Sequence, residues 1–549
     1  MTEGIRTVAR LIVECLENEG VEFIFGLPGE ENLHMIDALA DSSIRFVTTR
    51  DERGAAFMAD TYGALTGKPG VCLATLGPGA INLMLGIANA QLDSHPLVAI
   101  AAQAGLDRIY KESHQFVDLV SLYRPITKWG DMVTVPGAAP EMVRKAFKQA
   151  QTERPGATFI ILPEDVAELT AEGEPLTVNV PVDPAPSEDQ VYRAARVLEA
   201  AAHPVVLAGP GVERDGAMDA LIRFSERLNI PVATTFLGKG VFPDDHPNAL
   251  GTIGFMVRDY ANFGFDRADV VVAVGYDLVE YSPSRWNPNR DKRIVHVHRT
   301  VAEVDAHYTL AVGLQGSIGE ALDAIAGSSN IHANAGGVPP VRGLVQEELE
   351  RGAADDTFPV KPQRLVADIR AAMGPDDIAL CDTGAVKMWM ARLYPTYRPN
   401  TCLVSNGLAT MAFSLPGAFA AKLVHPERKV LAVMGDGAFL MSAAEIETAV
   451  RERVPFAILV WVDGGYGLIG WKQDIHFGRQ SAVSFGNPDF VQLAESFGAR
   501  GYQIGSAGEL LPTLRKALND DVVSVIACPV DYRENARLTE RLGALTEPI

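Results

Sequence analysis

Apolar residues in this chain gather into short runs, and the longer stretches between them mix apolar and charged positions in the manner of helices. The first block has runs at 23–25, 46–49, 71–74, 97–101 and 158–162. The second has them at 205–207, 232–234, 270–274 and 294–297. The third has them at 378–380, 402–404, 430–433, 457–462 and 523–527. Short, wholly apolar strands alternating with helices are those of parallel sheets covered on both faces. The pattern predicts an α/β chain of three doubly wound parallel-sheet domains, at 1–170, 188–328 and 360–549. Two stretches of linker composition separate them. Residues 171–190 hold four prolines and several acids. Residues 326–363 are rich in Gly, Ala, Asn and Pro around an acidic helical piece, 346–351, expected to be a solvated helix face. Residues 1–20 read as an amphipathic helix, because charges interrupt them too often for a signal peptide. No apolar run reaches the length needed to span a bilayer.

The third block carries the sharpest chemistry. The run 430–434 ends in Gly435-Asp436-Gly437, and the run 456–462 ends in Asp463-Gly464-Gly465-Tyr466. A helix is predicted between them over 442–453, which makes a right-handed βαβ unit. Parallel strands place both aspartates at one carboxyl edge, where open α/β sheets bind ligands. Two carboxylates beside glycines that bare the backbone suit a divalent metal holding a phosphate group. Asp436, Asp463 and a backbone carbonyl near Gly465 supply three of the oxygens Mg²⁺ takes in an octahedron.

Other motifs are weaker one by one. Glu52 follows the run 46–49 and opens an apolar helix, so it reads either as a proton-transfer carboxylate or as a helix N-terminal acid. Gly77-Pro78-Gly79 with Asn82 follows another strand, and as a lone turn it signifies little. His114-Gln115 and Gly209-Pro210-Gly211 read more simply as structural, the latter lacking dinucleotide-binding spacing. A net charge of -21 argues against nucleic-acid or anionic-membrane partners. Five scattered cysteines without a CxxC pair indicate neither a zinc site nor a disulfide framework, and fit a reduced cytoplasm.

Taken in order, Glu52, the GPG turn with Asn82, Gln115, and GDG followed by Asp463 resemble the thiamine-diphosphate-dependent enzymes over nearly the whole chain. Within them the chain looks most like the acetolactate synthases of the catabolic type. The supporting strings are Phe25-Gly26-Leu27-Pro28-Gly29, residues 405–416, residues 462–466 and residues 529–535. The resemblance implies pyrimidine-binding, central and diphosphate-binding domains in that order. It places Glu52, Gln115 and Gly26 at catalytic positions, with Glu52 bonding the cofactor's aminopyrimidine N1′. It places Pro78, Asn82, Gly384, Ala385, Val386, Gly435, Asp436, Gly437, Ala438, Asp463, Gly465, Tyr466, Gly467 and Leu468 around the cofactor. Met411 would prop its bent form, and the Ala409 carbonyl would accept from its 4′-amino group. Asp436, Asp463 and Gly465 would hold Mg²⁺, while Ile469 and Lys472 fall at substrate-pocket positions. Pro78, Asn82 and Gln115 would come from one subunit and the metal residues from another, making a homodimer the minimum and a homotetramer the expected assembly.

The chemistry implied is decarboxylation of a 2-oxo acid and joining of the remaining carbon unit to a second carbonyl. With pyruvate in both roles the product is 2-acetolactate. Gly275-Tyr276-Asp277 and Trp286-Asn287 resemble the flavin-free branch, so no FAD is expected. The chain departs from the family pattern at Asp51 and Arg53 beside Glu52, at Ala385-Val386, at Gly464, where relatives carry Asn, and at Glu31, where they carry Lys. Losing a cation at position 31 leaves a 2-oxo-acid decarboxylase, or a lyase or ligase using an aldehyde acceptor, as the alternative.

Overall fold

The computed structural model describes residues 6–179, 184–254, 260–328 and 341–535. The first five residues of the predicted opening helix, and residues 180–183 and 329–340 of the two predicted linkers, lie outside these. By internal packing the chain forms two compact units.

The first unit comprises residues 1–181 with the segments 407–427 and 442–455. Its sheet is made of β1 (Phe23–Gly26), β2 (Arg45–Thr48), β3 (Gly70–Ala74), β4 (Leu97–Gln103), β5 (Trp129–Met132) and β6 (Ala157–Pro163). All pairings are parallel, in the order β2-β1-β3-β4-β6-β5. The order reverses between β1 and β3, so the loops leaving β1, β2 and β3 share a ligand-binding edge. Helix Glu52–Thr66 is buried along most of its length, from Gly54 to Gly63, as a helix enclosed on all sides must be. Helices Ser414–Val424 and Glu445–Arg451 complete this unit.

The second unit holds two sheets. One consists of β7 (Pro204–Ala208), β8 (Val232–Thr234), β9 (Ala249–Thr252), β10 (Val270–Val274), β11 (Arg293–His298) and β12 (Leu310–Gln315), in the order β12-β11-β10-β7-β8-β9. The other consists of β13 (Ile378–Cys381), β14 (Cys402–Val404), β15 (Val430–Gly435), β16 (Ala457–Val462), β17 (Arg500–Gln503) and β18 (Ser524–Pro529), in the order β14-β13-β15-β16-β18-β17. Both are wholly parallel. In the third sheet the order reverses between β13 and β15, which brings the loops after β13, β15 and β16 to one edge.

The α/β class and the three parallel sheets agree with the sequence pattern. Four strands absent from that pattern, β5, β9, β12 and β17, each lie at a sheet edge. The helix expected at 442–453 is the shorter Glu445–Arg451, and a separate helix that the pattern did not show, Asp436–Ser442, precedes it. The acidic piece at 346–351 is not simply solvated. Glu348 is buried and pairs with Arg392 at 2.9 Å. Among the described residues no helix is long and apolar enough to cross a membrane.

Candidate active site

The candidate site residues fall into two groups, one in each unit.

In the first unit the chain turns from β2 through Arg50-Asp51 into helix Glu52–Thr66. Asp51 caps this helix, accepting from Arg53 N at 2.8 Å. Although burial acts in the opposite sense, the Arg53 guanidinium and N–H hold the Asp51 carboxyl below its ordinary value. These two departures from the family pattern therefore form a local cap and ion pair of 2.6 Å. Half-buried Glu52 accepts from Asn82 Nδ2 at 3.0 Å. Gly79 leaves room for that carboxylate, since a Cβ there would stand 3.1 Å from Glu52 Oε1. Pro78 is the first residue of helix Pro78–Asp93, where its missing N–H costs nothing. Gly77 precedes it at φ 50°, and a Cβ there would meet the Gln115 carbonyl at 2.7 Å. The structure thus gathers Glu52, Pro78, Asn82 and Gln115, the last three solvent-exposed. Gln115 also holds a left-handed φ of 57°.

Gly26 has a packing reason of its own. A Cβ there would lie 2.0 Å from the Leu73 carbonyl oxygen of β3. Glu31 is buried on the same edge and accepts from the Thr75 hydroxyl at 2.8 Å. Ala409 and Met411 belong to the segment 407–412, where Ala409 (φ 58°) and Ala412 (φ 73°) are both left-handed. Such strain in residues bearing a Cβ is held only by its surroundings and concentrates at functional sites. Asp93 Oδ1 accepts from Gly407 N and Asn89 Oδ1 from the Thr410 hydroxyl, which anchors the segment.

In the second unit Asp436 is fully buried at the end of β15. Its Oδ1 accepts from Gly437 N at 2.8 Å. Its Oδ2 accepts from Gly464 N at 2.8 Å, Asp463 N at 3.2 Å and Asn487 Nδ2 at 2.7 Å. Asp463 follows β16 and lines a pocket of about 760 Å³ with Gly464–Gly467, Trp471, Asp474 and Tyr532 among others. Part of Asp463 is open to solvent there. Surrounding protein desolvates its carboxyl, and with the charge of Asp436 pushes it up to about 7. Gly464 sits at φ 69°, a left-handed conformation that Gly takes freely.

These residues fit a metal-diphosphate group. Two carboxylates that repel each other call for a cation. The Asn487 Oδ1 and Thr383 Oγ1 atoms are buried without a hydrogen-bond partner among the described residues. Thr383 immediately precedes Gly384, which caps helix Ala385–Leu393 at φ 142°. Beside Asp436, a Cβ on Gly435 would meet no described atom within 4 Å. Gly437 is closed in by the rings of Tyr466 and Phe485, at 3.0 and 3.1 Å from such a Cβ. Ala385, Val386 and Ala438 lie in the core, so only their backbone can face a ligand. Gly467 and Leu468 begin helix Gly467–Phe477, which presents exposed Ile469 and half-buried Lys472 three residues apart on one face. Among the described residues no three His, Cys, Asp or Glu converge as a metal cage, so carbonyl and amide oxygens would have to complete the donor set.

Sequence reasoning missed Asn487, Thr383 and Glu445. Asn487-Pro488 reads only as a turn, and Glu445 only as part of an acidic helix face. Glu445 is in fact buried and accepts from the Arg50 and Asp51 backbone.

Comparison with known proteins follows this geometry. Residues 6–122 match the thiamine pyrophosphate enzyme N-terminal TPP binding domain, 191–325 the central domain and 382–528 the C-terminal TPP binding domain. The chain is 36% identical over 537 residues to an acetolactate synthase of Bacillus subtilis, covering 96% of this chain and 94% of that one. It is 35% identical over 541 residues to a catabolic acetolactate synthase of Raoultella terrigena, covering 97% of each. It is 35% identical over 558 residues to a probable acetolactate synthase large subunit of Methanocaldococcus jannaschii, covering 98% and 94%. With all three domains matched in order and relatives aligned end to end, the chain belongs to the thiamine pyrophosphate enzyme family and is a thiamine-diphosphate-dependent enzyme.

Proposed function

We propose that the protein is a thiamine-diphosphate- and Mg²⁺-dependent carboligase that decarboxylates pyruvate and joins the remaining carbon unit to a second pyruvate, giving 2-acetolactate. One observation carries this reading: the Glu52 carboxylate is held at a sheet's carboxyl edge by Asn82, with Gly79 clearing space beside it. Thiamine diphosphate, when bound, supplies a carbon nucleophile and an electron sink that lets CO₂ leave. Glu52 holds and returns the proton at N1′ of its aminopyrimidine, and Pro78, Asn82 and Gln115 border that ring. The Ala409 carbonyl would accept from the 4′-amino group, and Met411 would pack against the cofactor. Asp436, Asp463 and the Gly465 carbonyl would hold Mg²⁺, and the Asn487 amide braces Asp436. The backbone of Gly384–Val386, Gly435–Ala438 and Tyr466–Leu468 lines the diphosphate. Ile469 and Lys472 face the substrate.

Glu52 and Asp436 serve one cofactor from different subunits, so a homodimer is the smallest working unit and a homotetramer the expected assembly. Five buried, unpaired cysteines support a reducing, cytoplasmic setting. We further propose that FAD is not required. The crevice where the second sheet's strand order reverses holds buried Asp277, paired with Arg214 at 3.1 Å, a poor neighbour for a dinucleotide's phosphates. Buried Glu31 beside Thr75 favours a second reading, an uncharged aldehyde acceptor, because a carboxylate there repels an acceptor carboxylate.

The test is product identification by mass spectrometry and NMR after incubation with thiamine diphosphate, Mg²⁺ and pyruvate. Acetolactate is expected. Acetaldehyde alone indicates a decarboxylase, and no product across a panel of 2-oxo acids and aldehydes overturns both readings. Glu52→Gln is expected to lower turnover at least ~100-fold while cofactor still binds; full activity refutes the role of Glu52.

A further inference from the structure

Glu445 lies far along the chain from Glu52, yet the fold lays it against the turn that carries Glu52. It opens helix Glu445–Arg451 and is 1% exposed. Its Oε1 accepts from Arg50 N at 3.0 Å and from Asp51 N at 2.9 Å. Its Oε2 accepts from the Thr448 hydroxyl at 2.6 Å and lies 3.3 Å from Arg50 N. Gly54, on the first turn of the Glu52 helix, admits the carboxyl, since a Cβ there would stand 2.6 Å from Oε1. Helix Glu445–Arg451 and its C-cap residue Glu452 are tied to β2 at two further points. Arg45 pairs with Glu452 at 2.6 Å, and the Arg451 guanidinium donates to the Thr48 carbonyl. Arg50 and Asp51 lie between the last residue of β2 and the first residue of the helix, so their N–H groups belong to neither ladder. A buried carboxyl is a demanding way to satisfy them, and burial pushes Glu445 up to about 7.

We propose that Glu445 is a positioning residue for Glu52: by gripping the Arg50 and Asp51 amides it fixes the backbone from which the Glu52 carboxylate reaches the cofactor ring. The proposal rests on the role assigned to Glu52 under the proposed function. Misplacing a reacting group by about 1 Å can cost on the order of 100-fold in rate, so a small shift of this turn is enough to matter.

Three variants test it: Glu445→Gln, Thr448→Val and, as reference, Glu52→Gln. Two readouts are used besides turnover. One is amide hydrogen exchange of the Arg50–Arg53 segment in cofactor-free protein. The other is the rate at which the C2 proton of bound thiamine diphosphate exchanges with solvent deuterium. Glu445→Gln is expected to quicken exchange of the Arg50 and Asp51 amides and to slow C2 exchange and kcat at least ~10-fold. Its KM for pyruvate and its cofactor Kd stay within about twofold, because Glu445 touches neither ligand. Thr448→Val keeps the charge and removes one bond that orients it, and is expected to slow C2 exchange about threefold. Wild-type C2 exchange in folded Glu445→Gln overturns the proposal. Should Glu445→Gln fail to fold, wild-type exchange in Thr448→Val overturns it equally. C2 exchange retained in Glu52→Gln would instead refute the role given to Glu52. Exchange lost in Glu52→Gln but unchanged in Glu445→Gln refutes only the placement of Glu445.

Discussion

Desolvation, and then the charge of Asp436, push the Asp463 carboxyl up to about 7 from an ordinary 3.8. A carboxyl raised in this way binds its proton more tightly in the folded chain than in the unfolded one. Its contribution to stability is therefore present below the unfolded value and is lost as pH rises towards 7. The proposed Mg²⁺ reverses the sign, since it binds the ionised form and displaces the proton. The stability difference between wild type and Asp463→Asn, measured by denaturant unfolding without metal, should turn against wild type between about pH 4 and pH 7. Thermal stabilisation by Mg²⁺ with thiamine diphosphate should be larger at pH 8 than at pH 6, and absent in Asp463→Asn. At this scale the two aspartates of the candidate site were legible in the sequence, because Asp436 and Asp463 stand beside glycines at strand ends, whereas Glu52 and Asn82 gained meaning only when read together with them. Asn487, Thr383 and Glu445 carry no such local mark, because their partners lie elsewhere in the chain.

Among the secondary-structure elements, the hydrophobic pattern reveals every interior strand but only two at sheet edges, Arg45–Thr48 and Cys402–Val404. Trp129–Met132 and Arg500–Gln503 are partly exposed and carry polar residues, and Leu310–Gln315 has an exposed residue at each end. Ala249–Thr252 is short and interrupted by Gly251 at φ 86°. Such edge strands are specified by backbone pairing with an existing neighbour, which a local pattern does not record. Gly26 shows the converse case, in which a motif residue is required by its element. It pairs with Leu73 across β1 and β3, and its missing side chain is what allows that approach. Gly26→Ala is expected to destabilise the protein by about 1–3 kcal/mol in denaturant unfolding, through overpacking against β3. A variant of unchanged stability but impaired turnover would instead give Gly26 a purely catalytic role.

On the scale of the whole molecule, the proposed division of one cofactor site between subunits makes a sharp prediction. Glu52→Gln damages one half of each site and Asp436→Asn the other, so each variant alone should be inactive. After subunit exchange in an equal mixture, half of the dimers are mixed, and each mixed dimer carries one site with both halves intact. About a quarter of wild-type activity should return. Recovery of none would show that both residues act within one subunit. The sequence by itself determined the α/β class, the three sheets, the family and the acids at strand ends, because these depend on local periodicity and on short motifs that strand-to-helix turns preserve. Only the tertiary structure decided that segments 407–427 and 442–455 pack with the first sheet, that Ala409 and Ala412 are strained, and that Glu445 grips the turn before Glu52. Those arrangements join residues hundreds of positions apart. They follow from how helices fill the space around a sheet, which no neighbouring residue in the chain encodes.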